Sequence, residues 1–234
     1  MTNACLIALP VELHHRIFDY LDAQTILRSV RAVCRKFHAV VDSYNRYELN
    51  FHSMKNSDVL FISRVIHADN IRSMVIYNDD LYHNQYTRFL THSEISYFAA
   101  LRSLTVREIY PENYISTLQQ FVGCPLVSLT IYISERDNNP IVELVFSVIA
   151  RFNLRKICLH NLEFTLKHMV WLSQSPLQHL TIGTCSFNVY REILRQFVHL
   201  RSFVIKDWTK NDINQSVVQS RFRSPKVNVF IHVL

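Results

Sequence analysis

Histidine and cysteine side chains are the first residues in this chain that could do chemistry. Cys158 and His160 alternate on a predicted strand, so both side chains lie on one face and could contact a metal ion. A structural metal site needs about four ligands, and the sequence supplies no matching cluster. His14 and His15 are neighbours that cannot share one helix face, so we expect them to be exposed to solvent. We therefore predict no metal site.

Catalytic motifs that depend on glycine are excluded by the composition. The chain has only 2 glycines, Gly123 and Gly183. Phosphate-binding loops, dinucleotide-binding turns and the nucleophile elbow of hydrolases all need glycines at fixed spacing, and none of these motifs can be written here. The 5 cysteines form no C-x-x-C pair. We predict no catalytic residue and no cofactor.

The bulk composition indicates a chain with a sizeable core and a modest positive charge. Of the 234 residues, 49% are hydrophobic, and the formal net charge is +6. This length fits one elongated unit or two small domains, and the charge permits acidic partners without requiring them. The odd number of cysteines favours a reducing compartment, and no signal peptide or membrane span is predicted. We expect a cytoplasmic and/or nuclear protein with no membrane partner.

Three short amphipathic helices are predicted within residues 9–41. Pro10 suits the first turn of a helix, where its missing N–H costs nothing. Apolar residues then recur at helical spacing at Leu13, Ile17, Phe18 and Leu21. Asp22 interrupts this pattern and can cap a second helix, and a third apolar stripe ends at Val41. Such a unit is too small to bury all its apolar faces, so we expect a partner surface.

The order of residue types over this segment resembles the F-box. Leu-Pro-x-Glu-Leu begins at Leu9, Ile-Phe-x-Tyr-Leu begins at Ile17, and Leu-x-x-Val-x-x-Val-Cys-Arg-x-Phe runs from Leu27 to Phe37. The notable departure is Phe37, where many family members have tryptophan, and this change keeps an aromatic side chain. The alternative is a generic three-helix bundle in which these residues form their own core.

The resemblance implies docking onto a Skp-type adaptor and, through it, onto a cullin. The residues that would build or support the adaptor-facing surface are Leu9, Pro10, Ile17, Leu21, Leu27, Val33, Cys34 and Phe37. A ligase that transfers ubiquitin itself needs a RING set of spaced Cys/His ligands or an activated cysteine, and the sequence has neither pattern. The resemblance therefore implies a receptor that acts by proximity, without catalysis of its own.

The rest of the chain repeats a strand pattern. The phrase L-x-x-L-x-L, with other apolar residues in place of some leucines, begins at positions 71, 101, 126, 154, 177 and 200. A seventh apolar run covers Val227–Leu234. Spacings of 23–30 residues between the phrases resemble those of leucine-rich repeats. The alternative is an ordinary α/β sheet with a coincidental similarity.

Helical segments are predicted between the strand phrases. Apolar residues at helical spacing are found over Ile141–Phe152, at Ile115, Leu118 and Val122, and at Val189, Ile193 and Phe197. Asn139-Pro140 resembles the N-cap and first helical position of such a helix. Each repeat is thus predicted to contain a strand, a loop and a helix.

The predicted fold class is α/β, with a three-helix F-box followed by a curved leucine-rich-repeat solenoid. The F-box occupies residues 1–50, a helical linker occupies residues 51–70, and a leucine-rich-repeat-like domain with about six to seven irregular repeats occupies residues 71–234. Parallel strands would form the concave face of the solenoid, and helices would form its convex face.

Outward strand positions would line the concave face with basic and tyrosine residues and without carboxylates. The residues predicted to contact a target there are Tyr77, Arg107, Tyr132, Lys156, His160, His179 and Lys206. Because arginine and lysine suit phosphate groups, we hypothesise that this face binds an acidic or phosphorylated protein segment. The simpler alternative is a solvated sheet face.

Together these patterns favour the substrate-recognition subunit of a Skp–cullin–F-box ubiquitin ligase. One alternative is an F-box interaction scaffold that has no role in ubiquitination. Another is a basic nucleic-acid binder, but the lysine and arginine stripe that such a protein needs is weak here. We therefore do not expect nucleic acid as a partner.

Overall fold

The structure is a computed structural model that describes residues 6–52, 54–77, 85–92, 98–107, 116–132, 146–161, 163–172, 176–208 and 228–231. The chain divides into two compact units, Met1–Arg102 and Ser103–Leu234. In the first unit helices predominate, and in the second a parallel sheet does. No helix in the described ranges is long and apolar enough to cross a membrane.

The first unit contains helices and two strands. Its elements are α1 (Val11–Phe18), a π-helical segment (Thr25–Val30), α2 (Arg31–Val33), α3 (Arg35–Asp42), β1 (Tyr47–Asn50), α4 (Asn56–Val65), β2 (Ile71–Tyr77) and α5 (Gln85–His92). Short 3₁₀ turns cover Leu6–Ala8 and Ala68–Asn70. The three helical segments predicted for residues 9–41 are confirmed.

Local chemistry sets the boundaries of these helical segments. The Asp22 carboxylate accepts hydrogen bonds from the backbone N–H of Thr25 at 2.8 Å and from its hydroxyl at 2.7 Å. Asp22 therefore caps the second helical segment, as predicted. Cys34 has an extended backbone with φ −163° and ψ 168°, and this extended residue separates α2 from α3.

The segment after the third helix contains one predicted element and one that was not predicted. Helix α4 lies in the expected helical linker. Strand β1 was not predicted, and it pairs in parallel with β2, with Leu49 opposite Met74. Tyr47 and Leu49 are buried, so the end of the predicted F-box segment also contributes to the sheet of this unit.

The second unit has seven parallel strands within its described ranges. Its elements are β3 (Ser103–Arg107), β4 (Ser128–Tyr132), β5 (Lys156–His160), β6 (Glu163–Phe164), α6 (Leu166–Leu172), β7 (His179–Cys185), α7 (Phe187–Gln196), β8 (Ser202–Trp208) and β9 (Asn228–Ile231). Residues 116–119 and 146–149 are also helical. The strand order is β3-β4-β5-β7-β8-β9, and the short β6 pairs with β7.

Equivalent positions of successive sequence repeats lie opposite each other in this sheet. Ser103 is paired with Ser128, which is paired with Lys156, and Lys156 is paired with His179. The inward residues of these strands are fully buried: Leu104, Val106, Leu129, Ile131, Ile157, Leu159, Leu180, Ile182, Phe203 and Ile205. The predicted strands of this unit are confirmed, including the seventh, which the structure describes over Asn228–Ile231.

Helical residues are found within each of the three predicted helical segments, at 116–119, at 146–149 and in α7, but the first two helices end earlier than predicted. Val189 and Ile193 are buried on α7, as their spacing predicts. Val122, however, is 37% exposed, and Phe121 is buried in its place. The prediction for Val122 was wrong because the helix ends at residue 119 and a turn follows. Ile115, the Asn139-Pro140 pair and residues 141–145 lie outside the described residues.

Candidate functional site

The first unit exposes an unusual share of apolar side chains near its start. Of the 12 large hydrophobic residues that are exposed in the described ranges, 8 lie between residues 6 and 33. Seven of them form what we call the apolar surface: Leu6, Ile7, Val11, Leu13, Ile17, Leu21 and Val33. Their exposed fractions run from 36% at Leu21 to 63% at Val33. Exposure concentrated in so short a segment is typical of a surface that a partner covers.

Helix α1 has two apolar faces rather than one. Leu13 and Ile17, four residues apart, are 41% and 38% exposed, whereas His14 and Phe18 are 1% and 2% exposed. Leu13, Ile17 and Leu21 of the predicted apolar stripe are thus on the outward side, whereas its fourth member, Phe18, lies on the inward side with His14. This arrangement leaves the face that carries Leu13 and Ile17 available for contact.

The predicted adaptor-binding residues separate into exposed and buried groups. Pro10, Ile17, Leu21 and Val33 are exposed, and Leu9 and Cys34 are half-buried. Leu27 and Phe37 are buried at 4% and 6% exposure. The two buried residues can support the surface from below but do not face outward.

The prediction that His14 faces solvent is wrong. Its ring packs edge-to-face against Phe37, with centroids 5.2 Å apart. Nδ1 lies 3.0 Å from the Pro10 carbonyl oxygen, and Nε2 lies 3.0 Å from the Leu6 carbonyl oxygen. A neutral imidazole can donate to only one of these oxygens, whereas an imidazolium can donate to both. Burial is tolerated because both ring nitrogens have polar neighbours. His15 is half-buried and lies 3.2 Å from the Ser43 hydroxyl.

Two side chains anchor the segment that carries Leu9 and Pro10. The His14 ring contacts the carbonyl oxygens of Leu6 and Pro10, as described above. Lys36 donates from α3 to the carbonyl oxygens of Ile7 and Leu9. The backbone of residues 6–10 is therefore tied to both α1 and α3, which fixes the position of this part of the apolar surface.

Tyr44 connects the end of α1 to the chain that leads into β1. Its hydroxyl donates to the Asp19 carboxylate at 2.9 Å, and Arg46 forms an ion pair with the same carboxylate at 3.2 Å. The Tyr44 ring packs edge-to-face against Phe18. Burial, reinforced by the Asp19 carboxylate, raises the pKa of the Tyr44 hydroxyl well above its ordinary value, so this group stays a hydrogen-bond donor at neutral pH.

Replacing Tyr44 by phenylalanine should destabilise the chain by about 1–2 kcal/mol, because a buried hydroxyl that donates to a carboxylate is removed. Tyr20→Phe is the matched control, since Tyr20 is 91% exposed and the change should be neutral within about 0.5 kcal/mol. Urea unfolding measures the stability of both variants. Equal midpoints for the two variants would contradict the role given to the Tyr44 hydroxyl.

The second unit carries a row of side chains at the fifth position of its repeat strands. The row consists of Arg107, Tyr132, His160, Gly183 and Lys206, on β3, β4, β5, β7 and β8. Tyr132 is paired directly with His160 in the sheet. On the other side of β7, the pairs Ile182 with Ile205 and Thr184 with Asp207 set Gly183 opposite Lys206. We call these five residues the fifth-position row.

Three members of the fifth-position row are stacked on one another. The Arg107 guanidinium lies 4.2 Å from the centroid of the Tyr132 ring and donates to its hydroxyl at 3.0 Å. The Tyr132 ring in turn stacks on His160, with centroids 4.1 Å apart and an interplanar angle of 18°. A planar cation over an aromatic face is held in place by both contacts.

The environment of His160 disfavours its charged form. Burial, together with the positive charges of Lys206 and Arg107, lowers the pKa of His160 to about 4. Its Nδ1 is buried without a hydrogen-bond partner among the described residues. The ring is therefore neutral at pH 7, and one of its two nitrogen atoms lacks a hydrogen bond within the described residues.

The depressed pKa of His160 predicts a loss of stability in mild acid. The unfolded chain takes up a proton below about pH 6.5, while the folded ring resists protonation down to about pH 4. Stability from the neutral ring is therefore complete above pH 6.5 and is lost as the pH falls towards 4. The groups facing this ring are Arg107 on β3, Tyr132 on β4 and Lys206 on β8.

The measurement is the difference in urea midpoint between pH 7.5 and pH 5. We expect this difference to shrink in His160→Gln and to keep its wild-type size in His179→Gln, because His179 is exposed at the other end of the same face. If His160→Gln keeps the wild-type difference in urea midpoint, the loss of stability in mild acid does not come from His160.

The predicted target-binding residues of the second unit lie at two levels of its strands. Arg107, Tyr132, His160 and Lys206 belong to the fifth-position row. Lys156 and His179 are exposed at the starts of β5 and β7. Tyr77 ends β2 in the first unit, where its ring stacks on His52 at 4.1 Å. Sequence reasoning found the polar members of the row but missed Gly183, whose position shows only in the strand register.

The pair considered as a metal site is not joined by further ligands. No group of three or more His, Cys, Asp or Glu side chains that could hold a metal ion occurs in the part of the chain that the structure describes. Cys158 lies on the same face as His160, two residues before it on β5. His160 stacks on the Tyr132 ring and lies near the positive charges of Lys206 and Arg107.

Comparison with known protein families bears on the first unit. No curated protein matches the chain. The segment that contains α1 to α3 and most of β1 does match a family model. Residues 6–49 match the family described as F-box-like, and this F-box-like domain supports the interpretation of the chain as an F-box protein.

Proposed function

We propose that the chain is the substrate-recognition subunit of a Skp–cullin–F-box ubiquitin ligase. The observation that carries the proposal is the apolar surface of the F-box-like domain, because its side chains are exposed where a folded monomer would bury them. A Skp-type adaptor is the partner that F-box domains typically bind. A cullin would join through that adaptor.

The second unit is proposed as the part that holds the target protein. Its parallel strands repeat every 23–28 residues between positions 103 and 202, and this spacing supports a leucine-rich-repeat-like body. Outward strand positions are half-exposed or exposed, and inward positions are buried. Such a face offers side chains from several strands to one ligand.

The proposed role is recognition rather than chemistry. The ligase would work by holding a target lysine near a charged conjugating enzyme, which raises the effective concentration of the two reactants. The chain itself would then supply two binding surfaces, one for the adaptor and one for the target.

Affinity purification of the full chain, with and without proteasome inhibition, tests this function. We expect the adaptor and cullin to co-purify in both conditions and a target to accumulate on the chain only when the proteasome is inhibited. Co-purification of the adaptor without the cullin, or without any change in bound proteins on inhibition, would favour an interaction scaffold that has no role in ubiquitination. Failure to capture the adaptor would refute the proposal.

A further inference from the structure

The turns that lead into the strands of the second unit lie side by side along one edge of its sheet. Because β4, β5, β7 and β8 are parallel, all of them begin at this edge. Arg155 donates its backbone N–H to the Val127 carbonyl oxygen, and Gln178 donates to that of Arg155. Arg201 in turn donates to the carbonyl oxygen of Gln178. We call these turns the strand-start edge, which consists of residues 120–127, 150–156, 176–179 and 197–202.

Anchored turns hold apolar side chains of this edge in solvent. Phe121 and Phe197 are buried just after the preceding helices. Hydrogen bonds from Cys124 N–H to the Phe121 carbonyl oxygen, and from Leu200 N–H to that of Phe197, close a turn around the residues between them. Four large hydrophobic side chains are exposed in the described part of the second unit, and three of them lie on this edge: Val122, Val127 and Val198.

The strand-start edge is also basic. Its four ranges contain no aspartate or glutamate, and their four cationic side chains are all exposed: Arg151, Arg155, Lys156 and Arg201. The whole chain has 25 Lys and Arg residues against 19 Asp and Glu residues, so this edge is more positive than the chain as a whole. A partner that covers it must therefore be anionic and must also accept aliphatic side chains.

A lipid surface meets both requirements. The interface of a membrane accepts cations at the level of anionic headgroups and aliphatic side chains at the boundary of the acyl chains. Single-stranded nucleic acid is instead bound by cations together with aromatic side chains on which bases stack, and the phenylalanines of this edge are buried. The expectation of no membrane partner was based on the lack of a predicted span and signal peptide, and attachment at the surface needs neither.

We propose that the strand-start edge attaches the second unit to the surface of a membrane that contains anionic lipids. Arg155 and Arg201 contact the headgroups, and Val198, which is 78% exposed, enters the boundary of the acyl chains. This inference goes beyond the proposed function, because a lipid surface is neither the adaptor nor the target protein.

Co-sedimentation of the full chain with vesicles is the first test. Vesicles with about 30% phosphatidylserine in phosphatidylcholine should bind the chain at least about tenfold more tightly than vesicles of phosphatidylcholine alone, because the attraction depends on anionic headgroups. Absence of binding to the phosphatidylserine vesicles, or equal binding to both kinds of vesicle, would overturn the proposal.

The double change Arg155→Gln with Arg201→Gln should weaken vesicle binding by about 25-fold, since each cation near an anionic surface contributes about fivefold. The matched control is Arg64→Gln with Arg88→Gln, because these arginines are exposed on α4 and α5 of the first unit. Both double variants change the net charge equally, and the control should keep the wild-type affinity. Equal weakening by the two variants would mean diffuse attraction to the whole chain and would contradict a site at this edge.

Val198→Trp tests whether the edge enters the membrane. The added indole should emit at shorter wavelength when phosphatidylserine vesicles bind, and lipids brominated on their acyl chains should quench it, because tryptophan favours the interface. The emission of the 2 native tryptophans, measured in the wild-type chain, is subtracted. Vesicle binding without this shift would refute the placement of Val198 in the membrane.

A single-stranded RNA oligonucleotide and polyglutamate are the competing probes. If either binds more tightly than the phosphatidylserine vesicles, and this binding is lost when Arg155 and Arg201 are replaced, the assignment to a lipid surface is wrong. Adaptor capture by the same variants should be unaffected. Failure of membrane attachment is therefore separable from failure of the proposed function.

Discussion

Val33→Asp is expected to weaken binding of the Skp-type adaptor by at least about thirtyfold. Val33 is 63% exposed at the end of α2, in the apolar surface. A carboxylate there would have to lose water in an apolar interface, and the loss of one such anchor commonly costs about 2 kcal/mol or more. The binding constant is measured by titration of purified adaptor.

Stability should be unaffected by this change, which separates a binding defect from a folding defect. Since most of the Val33 side chain is already in water, the free energy of unfolding should change by no more than about 0.5 kcal/mol. Val198→Asp is the matched control, because Val198 is 78% exposed and lies in the second unit. It should leave adaptor affinity unchanged. If the Val33 and Val198 variants bind the adaptor with equal affinity, the apolar surface is not the surface that the adaptor contacts.

The double change Leu9→Ala with Pro10→Ala tests the same surface from another element. Leu9 is half-buried and Pro10 is exposed, and both lie in the segment held by His14 and Lys36. Adaptor capture in a pull-down should be abolished. The circular dichroism signal of the sheet in the second unit should stay unchanged. Full capture by the double variant would contradict the docking assignment.

The parallel sheet was predictable because its signal is repeated. One apolar phrase occurs six times, and in the structure the equivalent residues of neighbouring repeats, such as Ser128 and Lys156, are paired. Each strand alternates buried and half-exposed residues, as at Leu129 and Thr130, so the outward side chains could also be named in advance. Register is well specified when one face is buried.

Features that depend on contacts between distant residues could not be predicted. Strand β1 has only four residues, and its sequence carries no copy of the repeated phrase. The stacking of Arg107, Tyr132 and His160 arises from three strands that are adjacent only in the folded sheet. Gly183 drew attention as a rare residue type, but its position in the row follows from pairing alone.

The failure at His14 has a different cause. Histidine is polar, and His14 and His15 cannot share one helix face, so exposure was predicted for both. In the structure the residue lies inward because Phe37 and the carbonyl oxygens of residues 6–10 provide both apolar and polar contacts. A buried polar residue with such partners is a structural anchor rather than an exposed surface group.

His14→Ala should therefore destabilise the chain by about 2–4 kcal/mol. The change leaves a cavity beside Phe18 and Phe37 and removes the ring that faces two backbone carbonyl oxygens. His38→Ala is the control, since the His38 side chain is half-exposed with its Nδ1 3.1 Å from the Asp42 carboxylate, and such surface contacts contribute about 0–1 kcal/mol. Urea unfolding compares the two variants.

His14→Leu separates the packing of this residue from its anchoring role. Leucine keeps apolar contact with Phe37 but has no N–H to donate to the carbonyl oxygen of Leu6 or of Pro10, so residues 6–10 should lose protection from hydrogen exchange. Because these residues carry part of the apolar surface, adaptor affinity should fall by about tenfold, equivalent to about 1.4 kcal/mol. Wild-type affinity together with increased exchange would show that the adaptor orders this segment on binding, and that His14 matters for stability alone.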